Sequence, residues 1–147
     1  MLISYKKMEI LFRRCCGIDL DKNKAKRILQ IVEKKFNDMV EVAEHNALRN
    51  DRNFLIMEDF PITKGLRLSM DKFLELKEEV DVEPVLQAVK AKTNLGYDEE
   101  VAENMPVLAG TLFVIVGHVM KELGLEGGRR PSVETIERAE RILDYTL

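Results

Sequence analysis

Two cysteines and two histidines are the residues of this sequence whose side chains could bind a metal ion or act as nucleophiles. Cys15 and Cys16 are adjacent, which is a poor geometry for a disulfide, and no CxxC or Cys/His spacing typical of a metal site is present. His45 and His118 stand far apart, without a cysteine or aspartate at ligand spacing. We therefore predict two reduced, packed cysteines, a core or interface role for His118, an exposed or helix-end position for His45, and no metal.

Acidic and glycine-rich segments are the next candidates for chemistry. EEVAEN (99–104) and KEEVDVE (77–83) are rich in carboxylates, but a solvated helix start and an acidic linker account for them. GLEGG (124–128) indicates the end of a helix rather than a phosphate-binding loop, and GxxxxGK[ST], GxGxxG and GxSxG are absent. The sequence therefore predicts that the protein is not an enzyme, has no cofactor and takes no small-molecule substrate.

Charge and hydropathy limit the partners that the chain can have. Its 147 residues carry a formal net charge of −3 and are 46% hydrophobic, which suits one compact domain. Residues 1–70 hold 14 Lys and Arg against 10 Asp and Glu, whereas residues 71–147 hold 9 against 16, so a polyanion would have to bind to local patches. The longest uncharged apolar run, 105–120, is too short to span a bilayer and predicts a buried helix. No signal-peptide core opens the chain, so we expect a cytoplasmic protein without membrane contact.

The elements that must position these side chains are almost all helical. Apolar residues recur every three or four positions from Asp21 to Arg49, which predicts an amphipathic helix about 45 Å long. Asp21 is its expected N-cap, and Asn50-Asp51 its expected end. A shorter helix precedes it and ends at Gly17. A helix as long as the second one is not stable alone and needs a partner to cover its apolar face.

A short extended segment and a third helix follow. Residues 54–56 are apolar and predict the extended segment. Glu58-Asp59 predicts the start of the third helix, with Pro61 tolerated in its first turn. The predicted unit is therefore a short helix, a long helix, a short extended segment and a short helix.

The same unit returns 77 residues later in the chain. The residues paired by this offset include Asp21 with Asp98, Ile28 with Met105 and Phe36 with Phe113. MEDF (57–60) matches VETI (133–136) after a shift of one residue. A tandem match of this length indicates a duplicated supersecondary unit. We therefore predict one compact domain, 1–147, made of a first half (1–76) and a second half (77–147).

The long helix of the second half, about Asp98 to Leu125, is apolar nearly all round at its centre. Such a helix is buried by partners on several sides. Gly110 and Gly117 indicate a close crossing by another helix, and the expected partner is the middle of the first long helix around Phe36. Pro106 predicts a kink, or a restart of the helix after Asn104.

The segments RNDRNFLIMEDFPITKGL (49–66) and GGRRPSVETIERAERIL (127–143) resemble the loop, strand and last helix of archaeal histones. With the duplicated order of helices, the chain resembles the histone-fold superfamily from about residue 5 to 145, and within it bacterial and archaeal proteins in which two protomers are fused. The resemblance implies an all-α fold of two tandem histone folds packed as an intramolecular handshake pseudodimer. In it the long helices cross, and the first loop of each half lies beside the second loop of the other. It also implies a structural ion pair between Arg52 and Asp59, of which Thr135 leaves no copy in the second half.

For DNA, such a fold implies phosphate contacts at the paired loops and near the first helices, without base specificity. The candidate residues are Arg13, Arg14, Lys22, Lys24, Arg49, Lys90, Lys92, Arg129 and Arg130. Lys22 and Lys24 would lie opposite Arg129 and Arg130. Lys90 and Lys92 would lie opposite Arg49 and Arg52, with Arg13 and Arg14 between the two loop pairs.

Two functions remain open from the sequence. The first is a histone-like, architectural DNA-binding protein without sequence specificity. The alternative is a histone-fold module for protein–protein interaction or dimerisation that does not bind DNA. Such a module would dock on itself or on another protein through apolar helix ends near Leu123 and Leu125. A fold alone does not choose between them.

Overall fold

The computed structural model describes residues 2–125 and 128–147, and in this part of the chain it contains six α-helices and a two-stranded parallel sheet. In chain order the elements are α1 (Leu2–Cys16), α2 (Lys22–Arg49), β1 (Phe54–Leu55), α3 (Lys64–Glu79), α4 (Glu83–Ala88), β2 (Gly96–Tyr97), α5 (Glu99–Leu123) and α6 (Val133–Thr146). A 3₁₀ turn, Met57–Asp59, lies between β1 and α3. The prediction of an all-α fold is confirmed.

Both long helices begin after an aspartate, and the two aspartates are 77 residues apart. Asp21 Oδ1 accepts a hydrogen bond from the backbone N–H of Lys24 at 2.8 Å, and Asp98 Oδ1 accepts one from Val101 at 2.9 Å. Each carboxylate satisfies an N–H group of the first turn that has no partner within the helix. The predicted starts of α2 and α5 are therefore confirmed.

α2 ends where the sequence predicts, at Asn50 and Asp51. The N–H of Asp51 donates to the Leu48 carbonyl at 3.1 Å, and the N–H of Arg52 donates to the Ala47 carbonyl at 3.0 Å. Asp51 adopts a left-handed φ of 59°. These two bonds and this φ are the Schellman closure of a helix C-terminus, and the turn leads directly into β1.

The third helix of the first half starts later than predicted. Thr63 is the N-cap of α3, and its Oγ1 accepts a hydrogen bond from the N–H of Leu66 at 3.1 Å. Glu58 and Asp59 lie in the preceding 3₁₀ turn, and Pro61 lies between that turn and the cap. The predicted start at Glu58-Asp59 is wrong because the Asp59 carboxylate is buried in the turn and does not cap α3.

The predicted match of MEDF (57–60) with VETI (133–136) is also wrong. Ser132 is the N-cap of α6, and its Oγ accepts a hydrogen bond from the N–H of Thr135 at 3.0 Å. The caps Thr63 and Ser132 are 69 residues apart, against 77 for the long helices, so the loop before the last helix is shorter in the second half. Thr135 is therefore not the counterpart of Asp59.

α5 runs without a break through Pro106. The side chain of Asn104 donates a hydrogen bond to the Glu100 carbonyl at 2.8 Å, within the helix, and does not cap a new one. The predicted restart after Asn104 is therefore wrong. Pro106 is exposed, so the backbone carbonyl that loses its helical partner there faces the solvated side of α5.

α5 is apolar because most of it is buried in the core of the protein. Among the described residues α5 is the one helix long and apolar enough to cross a bilayer, and 61% of its most apolar stretch is buried. The helix ends at Leu123, slightly earlier than predicted, and the N–H of Gly124 bonds to the carbonyls of Met120 and Lys121. Gly124 therefore acts as a helix cap, as the GLEGG segment predicts, while residues 126 and 127 of that segment lie outside the described residues.

The two glycines inside α5 admit side chains from α3 and α1. A Cβ at Gly110 would collide with the ring of Phe73, and a Cβ at Gly117 would lie 2.6 Å from the Cys16 sulfur and 3.2 Å from the ring of Phe12. The expected partner, the middle of α2 around Phe36, is therefore wrong for both glycines. α2 still packs against α5, and Phe36 is buried in the shared core.

Contacts at both ends hold the two long helices, α2 and α5, antiparallel to each other. β1 follows α2 and pairs in parallel with β2, which precedes α5, so Phe54 faces Gly96 and Leu55 faces Tyr97. At the other end the N–H of Asp19, before α2, donates to the carbonyl of Arg129, after α5, at 2.8 Å. The end of each long helix thus lies near the start of the other.

The acidic linker predicted at 77–83 is shorter than the sequence indicates, although its five charged side chains are exposed. α3 continues to Glu79, α4 begins at Glu83, and both Val80 and Val82 between them are buried. The connection between α3 and α4 is therefore only three residues long, and two of these residues belong to the core. The division of the chain into halves 1–76 and 77–147 stays a prediction.

Candidate nucleic-acid interface

Four basic residues lie where the N-terminus of α2 meets the loop before α6. They are Lys22, Lys24, Arg129 and Arg130, and we call them the basic loop pair. The hydrogen bond from the N–H of Asp19 to the Arg129 carbonyl joins the two loops directly. Lys22 and Lys24 in the first half and Arg129 and Arg130 in the second half therefore occupy the same end of the molecule.

A surface depression of about 260 Å³ lies within this end, lined by Arg13, Lys24 and Arg130 together with Asp19 and Asp21. Both acidic residues are engaged. The Arg13 guanidinium donates from Nε at 2.8 Å and from a terminal nitrogen at 2.6 Å to the same oxygen of Asp19. Asp21 caps α2, and its second oxygen lies 4.0 Å from the ammonium of Lys24. The acidic charge of the depression is therefore already paired with basic groups.

The candidates differ in how free their charges are. Lys22, Arg129 and Arg130 are exposed, and the ion pairs of residues 2–125 and 128–147 do not include them. Arg14, in contrast, lies 3.2 Å from a carboxylate oxygen of Glu79, and Arg13 is bound to Asp19. Arg13 and Arg14 would have to exchange these partners to contact phosphates.

Lys90 and Lys92 do not lie opposite Arg49 as the resemblance implies. Their loop is bound to the middle of α2: the N–H of Lys90 donates to Glu33 at 3.1 Å, and the N–H of Lys92 donates to the Asn37 side chain at 2.7 Å. Asn37 is twelve residues before Arg49, which is about 18 Å along a helix. The expectation fails because the loop between α4 and β2 is long, and these lysines stand at its start.

Arg49 is the last residue of α2 and Arg52 lies shortly after it, but their side chains have different partners. Arg49 is exposed and free of ion pairs among the described residues. Arg52 donates two hydrogen bonds to Asp59, at 2.7 and 2.5 Å, and a third to the Phe54 carbonyl at 3.2 Å, while its guanidinium lies 5.9 Å from the centre of the Phe54 ring. Arg52 is therefore committed to a structural ion pair and leaves few donors for a phosphate.

Asp59 is the buried member of that pair. It is 2% exposed, and its carboxylate also accepts the N–H of Ile56 at 2.9 Å. The hydrogen bonds from Arg52 hold the pKa of Asp59 below its ordinary value, although burial acts in the opposite direction. The same bonds raise the pKa of Arg52. The Asn46 side chain donates to the Asp59 carbonyl at 2.8 Å, so the turn is also tied to α2.

Two ion pairs that the sequence analysis missed join α2 to α6. Arg27 lies 2.7 Å from Glu140, and Lys35 lies 3.1 Å from Asp144. Lys35 is 5% exposed, and the signal for its burial is its position three residues after Val32, on the apolar face of α2. These pairs hold α6, and with it the loop of Arg129 and Arg130, against the first half.

The sequence analysis also missed a group of sulfur and nitrogen atoms between α1 and α5. Cys15 Sγ lies 3.7 Å from His118 Nε2 and 3.0 Å from Cys16 Sγ. Cys16 is buried, and the other two side chains are partly buried. The three ligand atoms lie within 4.8 Å of one another although no local Cys/His spacing exists. Gly117, which leaves room for Cys16, is the one local signal of this approach.

The proposed docking ends at Leu123 and Leu125 are less available than expected. Both side chains are partly buried and pack against the core. His45 is exposed, as the sequence predicts, and lines a shallow surface depression with Val42 and Leu48. The helix ends therefore offer less apolar surface for a partner than the sequence alone indicates.

The fold is all-α, and the family follows from comparison with other proteins. The profile of a family described as a domain of unknown function (DUF1931) matches residues 8–144, and the chain belongs to this family. A crystal structure of a protein from Thermus thermophilus is similar, with 36% identity, 97% of each chain covered and a TM-score of 0.85. A crystal structure of a protein from Aquifex aeolicus has 23% identity and a TM-score of 0.78, over 98% of this chain and 95% of that one. An uncharacterized protein of Aquifex aeolicus is 26% identical over 95% of this chain and 82% of its own length.

The assignment to the histone-fold superfamily, and to a family of fused histones within it, is wrong. The matching profile is that of DUF1931, and neither of the two similar crystal structures is described as a histone. The short segments 49–66 and 127–143 resemble archaeal histones in pattern, but a pattern of two loops and two caps is too short to define a family.

Proposed function

We propose that the two halves form an intramolecular handshake pseudodimer, with each half a short–long–short helical unit of histone-fold type. This geometry is compatible with membership of the DUF1931 family. Its support is the contact of each half's first loop with the second loop of the other. β2 pairs with β1 at one end, and Asp19 bonds to Arg129 at the other. The matched caps Asp21 and Asp98 support equivalent long helices.

We further propose that the protein is an architectural DNA-binding protein that contacts phosphates without base specificity. The observation that carries this proposal is the basic loop pair, in which Lys22, Arg129 and Arg130 are exposed and free of ion pairs among the described residues. Lysine and arginine that neutralise phosphates release condensed counterions, which supplies most of the affinity of such binding. The Arg52–Asp59 pair has a structural role in this proposal.

The net charge of −3 limits the part of the surface that DNA could contact. Residues 71–147 are acidic overall, so the field of the whole protein does not attract a polyanion. Screening over about 8 Å at physiological salt lets a local basic cluster act independently of distant carboxylates. DNA would therefore meet the end that carries the basic loop pair.

The test is a DNA titration at several salt concentrations, on linear and supercoiled DNA. About four phosphate contacts predict a slope of log K against log salt near −4. The double variant Arg129→Ala/Arg130→Ala should weaken binding equally on unrelated sequences and reduce the slope by about 2. The matched control is Lys64→Ala/Arg67→Ala, which removes two exposed charges at the start of α3.

Two outcomes would count against DNA binding. One is the absence of a mobility shift at low salt with both forms of DNA. The other is an equal loss of affinity in the basic-loop and control variants, which would indicate a general effect of charge. A protein that binds no DNA but forms a stable oligomer in solution would favour the alternative, a protein–protein interaction module.

A further inference from the structure

Three side chains that can bind metal ions meet between the C-terminus of α1 and the middle of α5. Cys15 and Cys16 are the last two residues of α1, and His118 lies on the facing side of α5. Cys15 Sγ is 3.7 Å from His118 Nε2 and 3.0 Å from Cys16 Sγ. The three ligand atoms therefore lie within 4.8 Å of one another where α1 packs on α5.

The packing around this group makes room for sulfur. Gly117 precedes His118, and a Cβ at that position would lie 2.6 Å from Cys16 Sγ. Glycine inside a helix is less favourable than alanine, and at this position it permits the close approach of α1. This close approach places Cys16 Sγ against the backbone of α5 at Gly117. It also places Cys15 Sγ near the imidazole of His118.

The surroundings act differently on the three side chains: the hydrogen bond to Cys15 and burial raise the pKa of Cys16, so a metal ion would have to displace the proton of that thiol. The hydrogen bond from Cys16, with Lys121 and Lys72 nearby, lowers the pKa of Cys15, although burial opposes this effect. Burial, together with the same two lysines, lowers the pKa of His118 and favours the neutral imidazole. A thiolate and a neutral imidazole are the forms that ligate a metal.

We propose that Cys15, Cys16 and His118 bind one thiophilic d¹⁰ metal ion, Zn²⁺ or Cu⁺. Thiolate and imidazole ligands suit both ions, and hard cations such as Mg²⁺ or Ca²⁺ are excluded by the absence of oxygen donors from this group of three. Bonds of about 2.3 Å to sulfur and about 2.0 Å to nitrogen place these two ligand atoms about 3.5–3.8 Å apart, which fits the Cys15–His118 separation. The two sulfurs must separate by somewhat less than 1 Å from their present contact.

The binding step is a simple exchange of protons for metal. The ion replaces the proton of each thiol, and both protons leave to solvent, so no oxidant or reductant is needed. With two thiolates, a Zn²⁺ complex is neutral and leaves a fourth position for water. A Cu⁺ complex carries one negative charge, which Lys72 and Lys121 offset. In both cases the metal would clamp the end of α1 to the middle of α5.

The test uses the reduced full-length protein and titrates Zn²⁺ and Cu⁺ separately against chromogenic chelators. We expect one equivalent of at least one of these ions to bind, and Co²⁺ used in place of Zn²⁺ to give a thiolate charge-transfer absorption. Cys15→Ser, Cys16→Ser and His118→Gln should each weaken binding by about 100-fold or more. His45→Gln is the matched control, because His45 is exposed on α2, and it should bind as the unaltered protein does.

Several results would overturn the proposal. They are the absence of stoichiometric binding by the reduced protein, binding that survives loss of both cysteines, and equal losses in His118→Gln and His45→Gln. Circular dichroism of each variant separates a lost ligand from a lost fold. The conservative variant Gly117→Ala adds a second readout, because displacement of Cys16 should weaken metal binding while His118 is unchanged. Unaltered binding by a folded Gly117→Ala protein would count against the geometry proposed here.

Discussion

Arg52 donates two hydrogen bonds to Asp59 across the turn that follows α2, and the two partners differ sharply in their exposure. The Asp59 side chain is 2% exposed, whereas that of Arg52 is 23% exposed. Removal of the arginine would leave a buried carboxylate without its counter-ion. Removal of the acid would leave a guanidinium that can still reach water. The stability of this turn therefore depends more on Arg52 than on Asp59.

We expect Asp59→Asn to lower the free energy of unfolding by about 1–2 kcal/mol, since the amide keeps the shape of the side chain. Arg52→Ala should cost more, roughly twice as much, because it leaves the Asp59 charge unpaired in the interior. Urea unfolding followed by circular dichroism measures both. Arg49→Ala is the control, an exposed arginine whose loss should stay within about 0.5 kcal/mol. Equal losses in Arg52→Ala and Arg49→Ala would contradict the importance of the pair.

The same pair makes stability depend on acidic pH. The pKa of Asp59 is lower in the folded protein than its ordinary value of about 3.9, so the unfolded chain takes up a proton first as the pH falls. The contribution of Asp59 is complete above that ordinary value and is lost as the pH falls through the folded pKa. Between about pH 5 and pH 3 the unaltered protein should therefore lose more stability than Asp59→Asn. Unfolding free energies measured across this range test the difference, and parallel curves would disprove it.

Gly110 supports the packing of α3 on α5. A Cβ there would enter the space of the Phe73 ring, which is fully buried. Gly110→Ala should therefore destabilise the protein by about 1–3 kcal/mol, despite the gain of about 1 kcal/mol in helix propensity. The measurement is thermal and denaturant unfolding.

A second substitution isolates the cause. Phe73→Leu removes the ring that the new methyl group would meet, so Gly110→Ala should cost less in that background than in the unaltered protein. Two sites in contact give such a coupling in a double-mutant cycle. If the two substitutions simply add, the clash with Phe73 is not the reason for glycine at this position.

Local signals in the sequence were enough to predict the long helices. Asp21 and Asp98 each precede an apolar repeat, and a capping carboxylate needs only the next three residues to act. The predicted start of α3 was wrong because the sequence Glu58-Asp59 is the same whether the acid caps a helix or is buried. The choice depends on Arg52, which the chain brings back only through the closing turn of α2.

The candidate site shows the same division between local and long-range information. Basic residues near loops were recognisable from the sequence, but the position of Lys90 and Lys92 depends on the hydrogen bonds of their loop to Asn37. Cys15 and His118 are 103 positions apart, and only the packing of α1 on α5 brings them together. No spacing rule within one segment could have found that contact.

The last prediction concerns the covalent connection between the halves. The middle of α5 is buried on almost every side, and its partners come from α1, α2 and α3 of the first half as well as from α6. Separate chains of residues 1–80 and 81–147 should therefore be poorly folded or self-associated, because an amphipathic or apolar helix without its cover is not stable in water. When mixed, they should recover helical circular dichroism in a concentration-dependent way. The single chain should not show this dependence, because the connection acts as an effective concentration of order mM.

The control is full-length protein cut after Val80 by an inserted protease site, which should stay associated until diluted. A half that is monomeric by size measurement and unfolds cooperatively alone would show that its core does not require the other half.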